Sequence, residues 1–281
     1  MTPLQISLVT AAAIGLACAI LSVFVVLRRW AFIGEGIAHA GFGGAGTAWV
    51  LSLLLPGVAL FQNDVGIYCI AALFCLVVAL AIGGLTRREH VYSDTAIGIF
   101  LVASLAWGFL GQGAFMHLRN GMMPPAWNDY LLGQTSLRGA EMLGAVLMCV
   151  TVLGVMGMMR KEIISFCFDA QMAEVGGVRV GIVHYLMILL VTTTILLGMR
   201  LMGSLLAAAL LVLPGAIGLQ ISRKMSVVTG AAVTAGLIGA LAGPLINHQW
   251  QFIKEGPAIV LVLVGEFAIA YLWARTRRVI H

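Results

Sequence analysis

An all-α bundle of membrane-spanning helices is the fold this sequence predicts, and three observations carry that reading. Of the 281 residues, 61% are apolar and 10% charged, whereas soluble domains carry roughly 25% charged residues. Apolar windows of about 20 residues, the length that crosses a 30 Å hydrocarbon core, recur along the whole chain rather than at one end. The basic residues fall in short clusters between those windows. No stretch is left over for a soluble domain of ordinary size, so residues 1–281 read as a single transmembrane domain.

Nine windows can be placed, at 4–27, 36–55, 65–85, 95–112, 139–159, 182–199, 203–221, 226–246 and 257–274. The first has no basic segment before it and exceeds the roughly 7–15 residues of a signal-peptide core, so it is expected to persist as a helix. Only residues 199–203 separate the sixth from the seventh, and the two could be one broken helix, which would make eight spans. With the N-terminus outside and nine spans, Arg28, Arg29, Arg87, Arg88, Arg160, Lys161, Arg179, Arg223, Lys224, Arg275, Arg277 and Arg278 are cytoplasmic. Arg119, Arg138, Arg200 and Lys254 are then external. That asymmetry satisfies the positive-inside rule and puts the C-terminus in the cytoplasm. The net charge of +5 forms no basic face, so nucleic acid is not an expected partner.

Small residues are abundant. The spacings Gly36-xxx-Ala40-xxx-Gly44 and Gly239-xxx-Gly243 predict close helix–helix approach in a tight bundle. Cys18, Cys69, Cys75, Cys149 and Cys167 are odd in number and make no C-x-x-C pair, which argues for reduced packing residues rather than a disulfide or zinc framework.

Few residues carry chemistry. Gly41, Gly43 and Gly46 match G-x-G-x-x-G in spacing but lie within an apolar helix instead of opening a βαβ unit. None of the three lysines follows a glycine, so there is no phosphate-binding loop. H-E-x-x-H and G-x-S-x-G are also absent, and nothing here points to an enzyme. Glu35 and His39 are four apart and share one helical face. A carboxylate and an imidazole together suit zinc, manganese or iron(II), and ionisable groups in a spanning helix are costly enough to need a reason. The bland alternative is a helix-capping Glu35 and a packing His39. Glu266 falls near the middle of the last window, where it must be protonated or paired, with Arg200 as a candidate partner. His248 lies at the outer end of the eighth window. His117 with Met116, Met122 and Met123 could suggest soft copper ligation, although methionine is common throughout as packing. Residues 161–181 mix apolar with charged side chains, and a short cytoplasmic helix near 163–178, ended by Gly176-Gly177, is expected to dock on a partner.

Four motifs then line up in order. Arg28-Arg29-Trp-Ala-Phe-Ile-Gly-Glu35-Gly-Ile-Ala-His39-Ala, Asp94-Thr-Ala-Ile-Gly-Ile, Phe168-Asp169 through Ala173 to Gly177, and the Leu-Leu-Val-Leu-Pro ending at Pro214 resemble the permeases of bacterial zinc, manganese and iron ABC importers (the ABC-3 type) over nearly the whole chain. The resemblance implies a homodimeric core in the bacterial inner membrane, two cytoplasmic ATP-binding subunits and an extracytoplasmic metal-binding protein. It also implies a transported divalent ion rather than a permanently bound cofactor. Glu35 and His39 would line the ion's path, with Glu266 and His248 as weaker candidates, and Phe168, Asp169, Ala173 and Gly177 would contact the ATPase. Two positions depart from the pattern: Glu35 stands where the family usually has Asp, and Ser93 where it has an acid. A different class of function, a stand-alone secondary carrier or channel using Glu266 as a relay, would need no ATPase.

Overall fold

Thr2 starts the first helix with a capping box. Its hydroxyl accepts from Gln5 N at 3.3 Å while Gln5 Oε1 accepts from Thr2 N at 2.9 Å, and Pro3 occupies the first helical position, where no N–H is needed. The computed structural model describes residues 2–58, 63–87, 93–125, 139–202, 204–250 and 252–279. Among these it contains helices α1 (Pro3–Leu27), α2 (Ile33–Leu54), α3 (Asp64–Arg87), α4 (Ser93–Leu118), α5 (Gly139–Met158), α6 (Arg160–Phe168), α7 (Ala170–Val175), α8 (Val180–Met202), α9 (Ser204–Ile221), α10 (Met225–Gln249) and α11 (Glu255–Val279). No strand occurs among the described residues. A bilayer offers backbone groups no water to bond, so long apolar segments satisfy themselves as helices.

Each predicted window coincides with a helix, to within a residue at its ends, over its described residues. Among the described residues eight helices are long and apolar enough to cross a membrane, and the apolar part of α9, Leu206–Ile221, is shorter. The choice between eight and nine spans therefore turns on α9, and the residue between α8 and α9 lies outside the described ones.

The chain forms two compact units. One holds α2, α3, α4 and α8 from His184 onward. Here α2 is the central element, packed on α3 and α4. A Cβ on Gly44 would lie 2.5 Å from Ala71 Cα in α3, and one on Gly46 would lie 2.8 Å from Gly108 Cα in α4. Only glycine lets the backbones meet this closely. His184 Nε2 lies 3.1 Å from the Gly83 carbonyl and joins α8 to α3.

The other unit holds α1, α5, α6, α7, α9, α10 and α11. Its centre is α1, packed against α10 and α5, while α11 packs on α10. Gly239 and Gly243 both face α11, at Leu263 and Ile259. At the starts of α1 and α11, Ser7 Oγ lies 2.9 Å and 3.0 Å from the two carboxylate oxygens of Glu255. All five cysteines are free.

The single cytoplasmic helix expected near 163–178 is two. At Asp169 the backbone turns extended (φ −152°, ψ 104°), and its carboxylate accepts from the N–H groups of Gln171 and Met172 at 3.0 Å each. Asp169 thus ends α6 and caps α7. After α7 the chain closes with Val178 N donating to Ala173 O at 3.0 Å while Gly177 adopts φ +85°, a Schellman turn whose left-handed position suits glycine.

Candidate functional site

Glu35 is the third residue of α2, whose N-cap Phe32 supplies no side-chain hydrogen bond. Its carboxylate does not turn back to the helix start. Instead His39 Nε2 lies 3.0 Å from Glu35 Oε1, with Glu35 39% and His39 26% exposed. An ionised carboxylate only accepts, so in that state Nε2 carries the hydrogen. The pair is accessible yet held on a helix with little freedom, because Gly36, between them in sequence, has Ile97 of α4 where a Cβ would stand. A divalent ion entering here would replace one N–H···O bond with a bond to oxygen and a bond to nitrogen, the neutral imidazole then carrying its one hydrogen on Nδ1.

The other ion-path candidates belong to the other unit. His248 is exposed in the last turn of α10. Glu266, midway along α11, opens onto an apolar groove of about 380 Å³ walled by residues including Ile217, Ala235, Ile238 and Trp273. Its Oε2 is buried without a hydrogen-bond partner. The side chain of Arg200, the expected counterion, lies outside the described ones. Among the described residues no three His, Cys, Asp or Glu side chains gather as a metal-binding group.

The segment α6–α7 presents a different face from the one expected. Phe168 and Asp169 are exposed, but Ala173 is 2% exposed and turned into its own chain, and Gly177 lies past the helix end in the closing turn. The outward apolar residues are Phe168, Met172 and Val175. Met172 and Val175 were not singled out from the sequence, and the steps of four from Phe168 to Met172 and three from Met172 to Val175 were the available signal.

Arg28, read from the sequence as a topological charge and as part of the first motif, proves to be a packing element. Its guanidinium carbon lies 4.2 Å from the Phe166 ring centre and 5.6 Å from that of Trp30, and Nη1 donates to the Phe166 carbonyl at 3.3 Å. Phe166 and Trp30 are buried and meet edge to face. Burial pulls the Arg28 guanidinium below its ordinary value, against an opposing push from Cys167, though arginine keeps its charge. Burial likewise pushes the Cys167 thiol up to about 12.

A profile of the ABC 3 transport family matches residues 1–274. The manganese transport system membrane protein MntC of Listeria monocytogenes is 28% identical over 272 residues, covering 96% of this chain and 90% of its own. The chelated iron transport system membrane protein YfeD of Yersinia pestis is 28% identical over 273 residues, covering 96% of this chain and 85% of its own. Among solved structures, PsaBC from Streptococcus pneumoniae in complex with Fab shares the fold, with a TM-score of 0.76, 24% identity and coverage of 96% of this chain and 91% of that one.

Proposed function

This chain belongs to the ABC 3 transport family and is a multi-pass cell-membrane protein, and on that premise we propose that it is the permease of an importer for a divalent transition-metal ion. The observation that carries the proposal is the Glu35–His39 pair, a carboxylate and an imidazole in contact on an otherwise glycine-rich apolar helix. Manganese and iron are the favoured cargoes, since relatives of similar length are named for them, and oxygen and nitrogen donors suit both. Zinc fits the same donors and is to be scanned beside them.

Two ligands from one chain leave most of a divalent ion's coordination sphere open. A second copy related by a two-fold axis would add another carboxylate and imidazole, so a homodimer completes the site from one repeated patch. The carboxylate charge offsets the removal of the ion from water, and the imidazole adds a donor that releases its ion as protons compete. An extracytoplasmic binding protein delivers the ion. Cytoplasmic ATP-binding subunits supply the work, docking on the outward Phe168, Met172 and Val175 around the Asp169 cap, and their closure moves the ion inward past Glu35 and His39.

The test is uptake of radiolabelled manganese, iron(II) and zinc into vesicles holding all subunits. Uptake undiminished when this chain is left out sinks the proposal. Purification from the native membrane should bring down an ATPase, and a chain that transports alone would restore the secondary-carrier reading centred on Glu266.

A further inference from the structure

The turn between α1 and α2 is built unusually. Trp30 N donates to Val25 O at 2.9 Å while Arg29, between the helix end and Trp30, adopts φ +58°, the same Schellman closure that α7 makes with a glycine. Arg28 leaves this turn to lie against the Phe166 ring and to donate to the Phe166 carbonyl. Among the described residues it has no carboxylate within ion-pair distance, and its buried Nε has no acceptor. An orphaned donor destabilises, so a grip meant only for stability would be better made with an apolar side chain. A ring face also differs from a carboxylate fork in what it permits. It attracts the cation without fixing its rotation, so the guanidinium can tilt or slide as the ring moves.

Both ends of this contact lead somewhere. Phe166 is two residues from Phe168 and three from Asp169, where the outward segment begins. Arg28 is seven residues from Glu35, through the left-handed turn at Arg29. Building on the transport reading above, we infer that Arg28 is a positioning residue that ties the ATPase-docking segment to the α1–α2 turn. Movement of α6 by the ATP-binding subunits is thereby delivered to the start of the helix that carries Glu35 and His39. The contact is a sliding joint rather than a lock.

The experiment uses vesicles holding the whole transporter, with this chain, its ATP-binding subunits and its metal-loaded binding protein, and reads ATP hydrolysis and radiolabelled manganese uptake in parallel. Arg28→Gln removes the cation, Phe166→Leu removes the ring while keeping apolar volume, and Arg28→Lys keeps the charge without the planar stack. Arg28→Gln and Phe166→Leu are expected to assemble and hydrolyse ATP near the normal rate while manganese moved per ATP falls about tenfold. Arg28→Lys should lose only about threefold. A wild-type ratio of manganese to ATP in Phe166→Leu overturns the inference even if Arg28→Gln fails to fold. So does a parallel fall of hydrolysis, uptake and thermal stability, which would make the contact structural only. A wild-type transporter that moves none of manganese, iron(II) and zinc removes the transport reading itself, and this inference with it.

Discussion

Helices α2 and α11 each carry an acidic residue inside an apolar span, and the protein treats them in opposite ways. In α2, 67% of the spanning window is buried by its own chain, against 28% in α11. Glu35 has a histidine one turn away and in contact. Glu266 has an apolar groove before it and a buried oxygen without a partner. A carboxylate that is paired, accessible and carried on a tightly packed helix can bind and release an ion. One facing apolar side chains lies in surroundings that do little to offset an ion's loss of water.

The largest effect that would sharpen this contrast is at the pair. His39→Ala should lower metal uptake by at least about 100-fold while subunit assembly persists, since even residues behind a metal ligand cost 10–100-fold. Glu35→Gln should lose most uptake, whereas Glu35→Asp should retain it and shift the preference among manganese, iron(II) and zinc. Normal uptake of all three ions by His39→Ala would move the search for the pathway to Glu266 and His248.

Packing should divide the same two helices. Gly46→Val forces a side chain into the Gly108 backbone and is expected to destabilise the detergent-solubilised protein by roughly 3 kcal/mol. Gly265→Ala on α11, where an added Cβ meets nothing within 4 Å, should change it by less than about 0.5 kcal/mol. Thermal unfolding of both variants decides, and equal losses would mean that α2 is not the tighter element.

Glu266→Leu removes a buried oxygen without a partner and is expected to raise stability by about 1 kcal/mol and leave uptake unchanged. Lost uptake would assign Glu266 a part in the pathway. The smallest effects belong to the two Schellman turns. Gly177→Ala should cost about 1 kcal/mol, because its φ is left-handed and the space around it is open, so strain acts alone. Arg29→Gly should relieve a similar strain before α2. If Gly177→Ala leaves stability unchanged but releases the ATPase in a pull-down, the turn itself is part of the docking surface.

Much of this was readable from residue order because it depends on period and length alone. Apolar length predicts a spanning helix, since a bilayer leaves no other way to satisfy the backbone. A spacing of four brings Glu35 to His39 whatever surrounds them. Gly239 and Gly243, also four apart, face one partner helix as their spacing suggested. Gly36 and Gly44, by contrast, face α4 and α3 respectively, because two turns of helix carry a stripe far enough round to meet a different neighbour.

What period and composition determined by themselves was the membrane class, the helices and the local contact of Glu35 with His39. Only the tertiary structure decided that Ala173 turns inward while Met172 and Val175 turn outward, that Glu266 opens onto an apolar groove, and that Arg28 rests on Phe166. Each of these depends on which surface a distant segment covers. Contacts between residues 28 and 166 leave no spacing in the chain, because they are chosen by the packing energy of whole helices rather than by local geometry.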